Sequence, residues 1–158
     1  MPIKIATADY RALAEMRYRI RHFLYEGDAA ARQFGLEPQQ YLLLLAVRGL
    51  PEGAKATIRT LAERLALKHN SAVELIDRME KHGYVNRIRS LDDRRCVLVS
   101  LLPDGKKLLE KVAQQRITEL RAGGTALVNA IDALVGHKRQ SRGRERVGNV
   151  STKAAKRS

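Results

Sequence analysis

Apolar residues recur at helical spacing in the first third of the chain. In residues 9–30 one apolar position follows another every three or four residues: Leu13, Met16, Ile20, Phe23 and Leu24. Such spacing puts these side chains on one stripe of a helix. Gly35 interrupts the pattern. A second helix with a dense apolar centre is predicted over residues 39–48, after a proline at position 38 that the first turn of a helix tolerates.

A short third helix is predicted after a loop at residues 49–55. Thr57 can cap its N-terminus, because a threonine oxygen accepts a hydrogen bond from an otherwise unpaired N–H group of the first turn. The positions of this helix that would face inward are Ile58, Leu61, Ala62 and Leu65.

A fourth helix follows a tight connection at residues 66–70 and runs to about His82. Gly83 is placed to end it, since glycine adopts the left-handed conformation found after many helices. Its first residue is left open, because all four residues from Lys68 to Ser71 are possible starts. Ser71 and Glu74 nevertheless have the spacing of a capping box.

The apolar period then changes from 3.6 to 2. Residues 84–90 and 95–101 alternate as strands do, and the polar turn between them makes a hairpin. Pro103 opens a long helix, and a last, strongly apolar helix is predicted over residues 125–135. The glycines between these helices are either a hinge or a helix break. The break is favoured because each glycine costs a helix interior ~1 kcal/mol.

The order of these elements is typical of a winged helix-turn-helix. An α-helix fits the major groove of DNA, and its N-terminal side chains can reach base edges. A neighbouring basic hairpin can straddle the phosphates and place a cation in the narrow minor groove, where negative potential concentrates. The pattern therefore favours double-stranded DNA as a partner.

One continuous series of motifs carries a family resemblance. Residues 61–101, "LAERLALKHNSAVELIDRMEKHGYVNRIRSLDDRRCVLVSL", followed by "DG", are similar to the core of the MarR family, the multiple-antibiotic-resistance type of winged-helix regulators. The resemblance implies a mainly α fold with a small β-hairpin wing. It places the DNA-binding core at about 55–102 and the dimerisation helices at about 9–30 and 103–136.

The same resemblance implies a transcriptional regulator, usually a repressor that releases DNA when a small-molecule effector binds. One position departs from the family pattern. Members usually have a threonine before the proline that opens the long helix, and this chain has Leu102. The change removes a helix-capping hydroxyl at the junction between wing and helix.

Charge supports a polyanionic partner. Thirty Lys and Arg residues against 17 acidic ones give a formal net charge of +13, which suits DNA, RNA or an anionic membrane surface. The longest apolar run, residues 41–47, is far shorter than the ~20 residues of a spanning helix, so no membrane is expected. Aromatic residues make up only 4% of the chain, which argues against a stacking platform for single-stranded bases.

Length and composition suggest one folded domain and a tail. The domain is expected to span residues 1–136 and the tail residues 137–158. From Gly136 onward there are eight basic side chains and one acidic one, with little to bury, so the tail is expected to be disordered alone. A single cysteine excludes an internal disulfide framework, and with no apolar signal segment at the N-terminus a cytoplasmic protein is expected.

Polar residues of the fourth helix are the candidate base readers. Base contact is expected from Asn70, Ser71 and Glu74, with Lys68 and His69 near phosphate. The full predicted set is Lys68, His69, Asn70, Ser71, Glu74 and Arg78. An ordinary amphipathic surface helix is the alternative. DNA contact is favoured because the wing follows at once.

The wing carries a second set of candidates: Arg87, Arg89, Asp93, Arg94 and Arg95. In the family, an aspartate of the wing holds an arginine in place. Carried over to this chain, Asp93 holds one guanidinium as a bidentate pair and Arg94 or Arg95 enters the minor groove. Asp92 is interpreted as a solvated turn residue. For Arg87 and Arg89, phosphate contact and a solvated strand face are equally open.

An effector pocket and an oxidant-sensing cysteine are two further possibilities. An effector pocket could involve Arg17, Arg21, His22 and Tyr41, although surface or packing roles are favoured for these residues. Cys96 could sense oxidants, but a small buried apolar filler is the favoured interpretation.

No metal site is expected, because the four histidines lack ligand spacing and there is one cysteine. No cofactor or enzyme activity is expected either, since no phosphate loop or nucleophile–base pair is present.

These features together predict a sequence-specific transcriptional regulator. It would bind a pseudo-palindromic operator as a homodimer and act as a ligand-responsive repressor. The principal alternative is a non-specific basic protein, architectural or RNA-associated, that binds nucleic acid through its charge. A third possibility is a winged-helix scaffold for protein contacts.

Overall fold

A computed structural model describes residues 4–135, and the elements predicted from the sequence are present in it. They are α1 (Thr7–Gln33), α2 (Pro38–Arg48), α3 (Ile58–Leu65), α4 (His69–Lys81), β1 (Val85–Arg89), β2 (Val97–Leu101), α5 (Pro103–Gly123) and a helix at residues 125–135, here α6. The predicted fold class, mainly α with a β-hairpin wing, is confirmed. The basic tail at residues 137–158 lies outside the described residues, so the expectation of a disordered tail stays a prediction.

The described chain divides into two compact units. The first, the core unit, is Glu26–Thr118 and contains the helix-turn-helix and the hairpin. Its interior is mostly apolar, and its largest fully buried side chains are Leu36, Leu43, Leu44, Leu61, Leu75, Ile76, Met79, Val85 and Val112. Of the α3 positions predicted to face inward, Leu61 and Ala62 are buried, whereas Ile58 and Leu65 are half-buried. On α4 the buried residues include Leu75 and Ile76.

The second unit, the end unit, comprises residues 4–25 and 119–135 of the described chain. It contains the N-terminal part of α1, the end of α5 and α6. The helix breaks at Gly124, between α5 and α6, as the glycine pair predicted. A Cβ on Gly124 would lie 2.5 Å from the Leu120 carbonyl oxygen, so a side chain there would not fit the present backbone.

The short helix-turn-helix is set by local signals, one of which differs from the prediction. The Thr57 hydroxyl accepts a hydrogen bond from the Thr60 N–H at 3.1 Å, as predicted. The capping box at Ser71 and Glu74 is wrong, because α4 begins at His69 with Lys68 as an N-cap that makes no side-chain cap bond. Ser71 therefore lies inside the first turn, where its hydroxyl is available to a partner.

The junction between the wing and α5 is a close backbone contact. The Leu102 N–H donates to the Tyr84 carbonyl at 2.9 Å, and the Leu102 carbonyl accepts from the Lys106 N–H at 2.9 Å. A Cβ on Gly105 would lie 2.2 Å from the Tyr84 carbonyl oxygen. Main-chain hydrogen bonds hold this junction, and Gly105 lets the two backbones approach closely. The junction therefore forms without the threonine hydroxyl that family members usually have at the position of Leu102.

Candidate nucleic-acid interface

The solvent face of α4 carries the polar residues that the sequence assigned to DNA. The opposite face is buried through Ala72, Leu75, Ile76 and Met79. All six predicted residues are exposed: Lys68, His69, Asn70, Ser71, Glu74 and Arg78. At about 100° per residue, Asn70, Glu74 and Arg78 form one row along the helix. A row of this kind presents hydrogen-bonding groups in the geometry that a major groove can accept.

The N-terminal end of α4 is suited to an anion. No side chain caps its first N–H groups, and the helix dipole gives this end a partial positive charge. Lys68 and His69 are exposed beside it. A phosphate placed here would meet backbone donors and a cation together.

The wing is a two-stranded antiparallel sheet, made of β1, β2 and the turn at residues 90–96. Its register pairs Val85 with Leu101, Arg87 with Val99 and Arg89 with Val97. Because side chains alternate along strands, these six residues share one face. That face is buried at the base, where Val85 and Leu101 lie, and exposed at Arg89 and Val97. Arg87 therefore lies at the transition from core to solvent.

Arg87 is bound by two carboxylates of α4. One guanidinium nitrogen donates to Asp77 Oδ1 at 2.7 Å, and another donates to Glu80 Oε2. The Arg87 main-chain N–H also donates to Glu80 Oε1, at 2.8 Å. Partial burial alone would lower the pKa of Arg87, but the bonds to Asp77 and Glu80 outweigh it and raise the pKa.

The remaining wing arginines are free to meet a partner. Arg89, Arg94 and Arg95 are exposed, and within residues 4–135 none of them forms an ion pair. Three cations on one protruding hairpin can neutralise phosphates or enter a minor groove. Their contact with DNA stays a prediction.

Asp93 organises the wing tip differently from the way the resemblance implied. Its Oδ1 accepts a hydrogen bond from the Arg95 N–H at 3.0 Å, and its carbonyl accepts from the Cys96 N–H at 2.9 Å. In the described chain no ion pair joins Asp93 to either neighbouring arginine. Asp93 therefore fixes the turn through the main chain, and the expected bidentate guanidinium pair is absent from it.

A loop segment supports the other edge of the wing. The Val99 N–H donates to the Ala56 carbonyl at 2.9 Å, and Thr57 forms an antiparallel bridge with Leu98. Asp92, expected to be only solvated, accepts a bond from Lys55 Nζ at 3.3 Å. This exposed pair adds little stability, whereas the main-chain bonds join the wing to the residue that caps α3.

The candidate effector residues lie in both units. Arg17, Arg21 and His22 are exposed on α1 in the end unit, and Tyr41 is buried in the core unit. Burial raises the pKa of the Tyr41 hydroxyl, and the nearby Arg116 charge partly offsets the rise. Arg116 itself is buried and pairs with Glu26 at 3.5 Å. The effector pocket stays a prediction.

Cys96 is half-buried on the wing, which fits a filler and leaves oxidant sensing untested. Among residues 4–135 no group of three His, Cys, Asp or Glu side chains could hold a metal ion. Within the same range, no helix combines the length and apolar character needed to cross a membrane.

Sequence reasoning missed Asp77 and Glu80. Two signals were available. Arg87 is two residues from the apolar Val85, so the two side chains share one face of the strand. Asp77 and Glu80 are three residues apart, so they are neighbours on the surface of the helix. Each signal is common on its own. Only the packing of β1 against α4 brings the three side chains together.

Comparison with known proteins agrees with this architecture. Residues 34–95 match the model of the MarR family. The chain is 34% identical over 116 residues to the uncharacterized HTH-type transcriptional regulator YhbI of Bacillus subtilis, an alignment that covers 69% of this chain and 73% of the relative. The protein belongs to the MarR family. It is thus a transcriptional regulator with a winged helix-turn-helix.

Solved structures of MarR members share the fold. AbsC from Streptomyces coelicolor superposes with a TM-score of 0.66 at 22% identity, covering 90% of this chain and 99% of that one. Sco3205, also from Streptomyces coelicolor and solved in complex with DNA, gives a TM-score of 0.57 at 16% identity. That match covers 100% of this chain and 94% of that one. These MarR structures support the fold assignment.

Proposed function

We propose that this MarR protein binds a pseudo-palindromic DNA site sequence-specifically as a homodimer, and that it acts as a repressor relieved by a small-molecule effector. The observation that carries the DNA-binding part is the placement of the exposed α4 face beside a wing with three exposed arginines. In this arrangement α4 is the recognition helix. It would enter the major groove while the wing reaches the adjacent minor groove.

Specific reading is assigned to three polar side chains of α4. Asn70 can donate to and accept from one adenine edge, Ser71 can bond to several bases, and Glu74 can accept from a cytosine amino group. Lys68, His69 and Arg78 would fix the register by contacting phosphates, which carry no direct sequence information. Different residues at the start of α4 and along it would therefore recognise bases and fix the position of the helix on the DNA.

Dimerisation is assigned to the end unit, because it exposes many large apolar side chains. They are Ile5, Tyr10, Leu13, Tyr18, Ile20, Leu24, Tyr25, Leu120, Val128, Ile131 and Val135. A monomer rarely leaves so many apolar groups in water. A two-fold dimer would repeat α4 about one DNA turn apart, ~34 Å, and so require a pseudo-palindromic site. Light scattering at micromolar concentration should give the mass of two protomers, and a monomer mass would contradict this part.

The repressor and effector parts rest on family membership. Arg17, Arg21, His22 and Tyr41 are the residues offered for the effector pocket. No enzyme activity is proposed, because the family and the named relatives are transcriptional regulators.

The charge of the chain favours one alternative, a non-specific nucleic-acid-binding protein with a formal net charge of +13. Selection of binding sites from a random duplex library distinguishes the two. The proposal expects enrichment of one pseudo-palindromic motif with half-sites about 10 base pairs apart. A selected pool that keeps random sequence would contradict it and support the alternative.

A further inference from the structure

We propose that Arg87 is a positioning residue, which fastens the wing to the recognition helix by bridging Asp77 and Glu80 rather than by contacting phosphate. The inference rests on the proposed function and goes beyond it by giving the wing's cations different roles. The triad of Arg87, Asp77 and Glu80 is called the wing clamp below.

The clamp joins two elements at three points. Two guanidinium nitrogens and the main-chain N–H of Arg87 all donate to carboxylate oxygens of α4. The Arg87 side chain is 25% exposed, against 31% for Glu80 and 50% for Asp77. Charge-assisted bonds of this partly buried kind are stronger than exposed pairs.

The geometry requires an arginine. A planar guanidinium presents donors in a fixed fork, so it can bond to two carboxylates at once. Lysine has one ammonium group on a flexible stem and acts as a point charge. A lysine at position 87 would keep the charge of the wing but lose the simultaneous bridge between Asp77 and Glu80.

Electrostatics supports the same assignment. Asp77 and Glu80 lie on the helix proposed to enter the DNA groove, where uncompensated carboxylates would repel phosphates. Arg87 offsets one of their two charges, and two of its guanidinium nitrogens donate to them. Arg89 lies two residues along on the same strand face, is exposed and has no carboxylate partner in the described chain. The two arginines therefore form a natural comparison.

The clamp should matter for specific sites above all. In specific binding, α4 and the wing contact two adjacent grooves at once, which requires one fixed relative geometry. A wing already held in that geometry loses less conformational entropy on binding. Random DNA is held mainly by phosphate charge. Loosening the wing should therefore weaken binding to the selected site more than binding to random DNA.

The test compares conservative and charge-removing variants at both positions. Arg87→Lys, Arg87→Met, Arg89→Lys and Arg89→Met are titrated with salt on the selected site and on a random duplex. The clamp predicts that Arg87→Lys and Arg87→Met both lose about tenfold on the selected site, an amount in the range of one charge-assisted bond. The clamp also predicts that the log–log salt slope of Arg87→Lys is close to that of the parent, because the charge of the wing is kept.

Arg89 should behave in the opposite way. Arg89→Met should flatten the log–log salt slope by ~0.9 if it removes one phosphate contact, and Arg89→Lys should restore parental binding. Rescue of position 87 by lysine would overturn the clamp, because a phosphate contact needs only the charge. Melting temperatures that leave each of the four variants fully folded at the temperature of the titrations exclude a folding defect as the cause.

A second arm removes the acids instead. By simple electrostatics, Asp77→Ala combined with Glu80→Ala should tighten binding to both duplexes, since two negative charges leave a DNA-facing helix. The clamp predicts about tenfold weaker binding to the selected site together with unchanged or tighter binding to random DNA. Tighter binding to both duplexes would overturn it.

Hydrogen exchange in the free protein separates the clamp from the proposed function. The Arg87 amide bonds to Glu80 Oε1, so its exchange should accelerate about tenfold or more in Glu80→Ala, and the neighbouring β1 amides should follow in Arg87→Lys. Unchanged exchange would overturn the clamp even if DNA selection succeeds. Accelerated exchange in a protein that selects no DNA site would mean that the proposed function has failed and that Arg87 has no positioning role in DNA binding.

Discussion

The Asp93 carboxylate accepts a hydrogen bond from the main-chain N–H of Arg95 at 3.0 Å. The Asp93 carbonyl accepts from the next N–H, that of Cys96. Aspartate and asparagine make such bonds to the chain two residues on, and they hold turns in this way. Asp93 therefore sets the direction of the wing tip, while the guanidinium groups of Arg94 and Arg95 stay available.

This hydrogen bond predicts different results for two variants that remove the same charge. Asp93→Ala should weaken binding to the selected site several-fold, since the turn loses a net ~1 kcal/mol hydrogen bond. Asp93→Asn should bind like the parent or tighter, because its amide oxygen can still accept from the Arg95 N–H. Fluorescence anisotropy on the selected duplex compares them. If Asp93→Ala binds as tightly as Asp93→Asn, the wing tip does not depend on this bond.

A second prediction concerns the backbone contact between α5 and the wing. Gly105→Ala would place a Cβ 2.2 Å from the Tyr84 carbonyl oxygen, so the backbone must move. The free energy of unfolding should fall by about 3 kcal/mol, which lowers the melting temperature by roughly 6–12 °C. Gly123→Ala is the matched control on the same helix, because a Cβ there meets nothing within 4 Å. Equal melting temperatures for the two variants would contradict the close contact.

Much of the fold could be predicted from local pattern. Helix periodicity, the Thr57 cap and Gly83 are signals that involve residues close together in the chain, so they can be recognised from the sequence alone. Local pattern did not determine the start of α4, because Lys68, His69, Asn70 and Ser71 all tolerate a helix start. The spacing of Ser71 and Glu74 matched a capping box, whereas α4 begins at His69 with Lys68 as its N-cap.

The candidate site was predicted less completely than the fold. Exposure of Arg89, Arg94 and Arg95 agrees with what a basic wing suggests. The partners of Arg87 depend on how β1 packs against α4. Glu80 lies seven positions before Arg87 in the sequence, and Asp77 lies ten positions before it. Asp93 was assigned to a side-chain pair, but the bond to a main-chain N–H could not be seen in a pattern of side chains.

The third prediction separates base reading from affinity. Asn70→Ala combined with Ser71→Ala should relax base preference and leave affinity for random DNA nearly unchanged. Removing each base contact should cost ~1–3 kcal/mol on the selected site. Site selection repeated with this variant measures the preference, and Gln39→Ala, an exposed polar position on α2, is the control. A motif identical to that of the parent would place base reading on another surface.

The fourth prediction concerns the basic tail. Residues 137–158 carry eight basic side chains and one acidic one, a charge excess expected to act by counterion release. Ending the chain at Gly136 should flatten the log–log salt slope by ~0.9 for each phosphate that the tail had neutralised. The selected motif and the dimer mass should not change. Loss of the motif in the truncated chain would show that the tail takes part in reading sequence.

The most direct test of the central claim is the ratio of two dissociation constants, measured with the full chain at one near-physiological salt concentration. One duplex carries the selected site, and the other has the same composition in scrambled order. Sequence-specific binding by α4 and the wing predicts a ratio of ~10³ or more in favour of the selected site. A ratio near one would contradict the account and leave a basic protein that binds DNA through its charge alone.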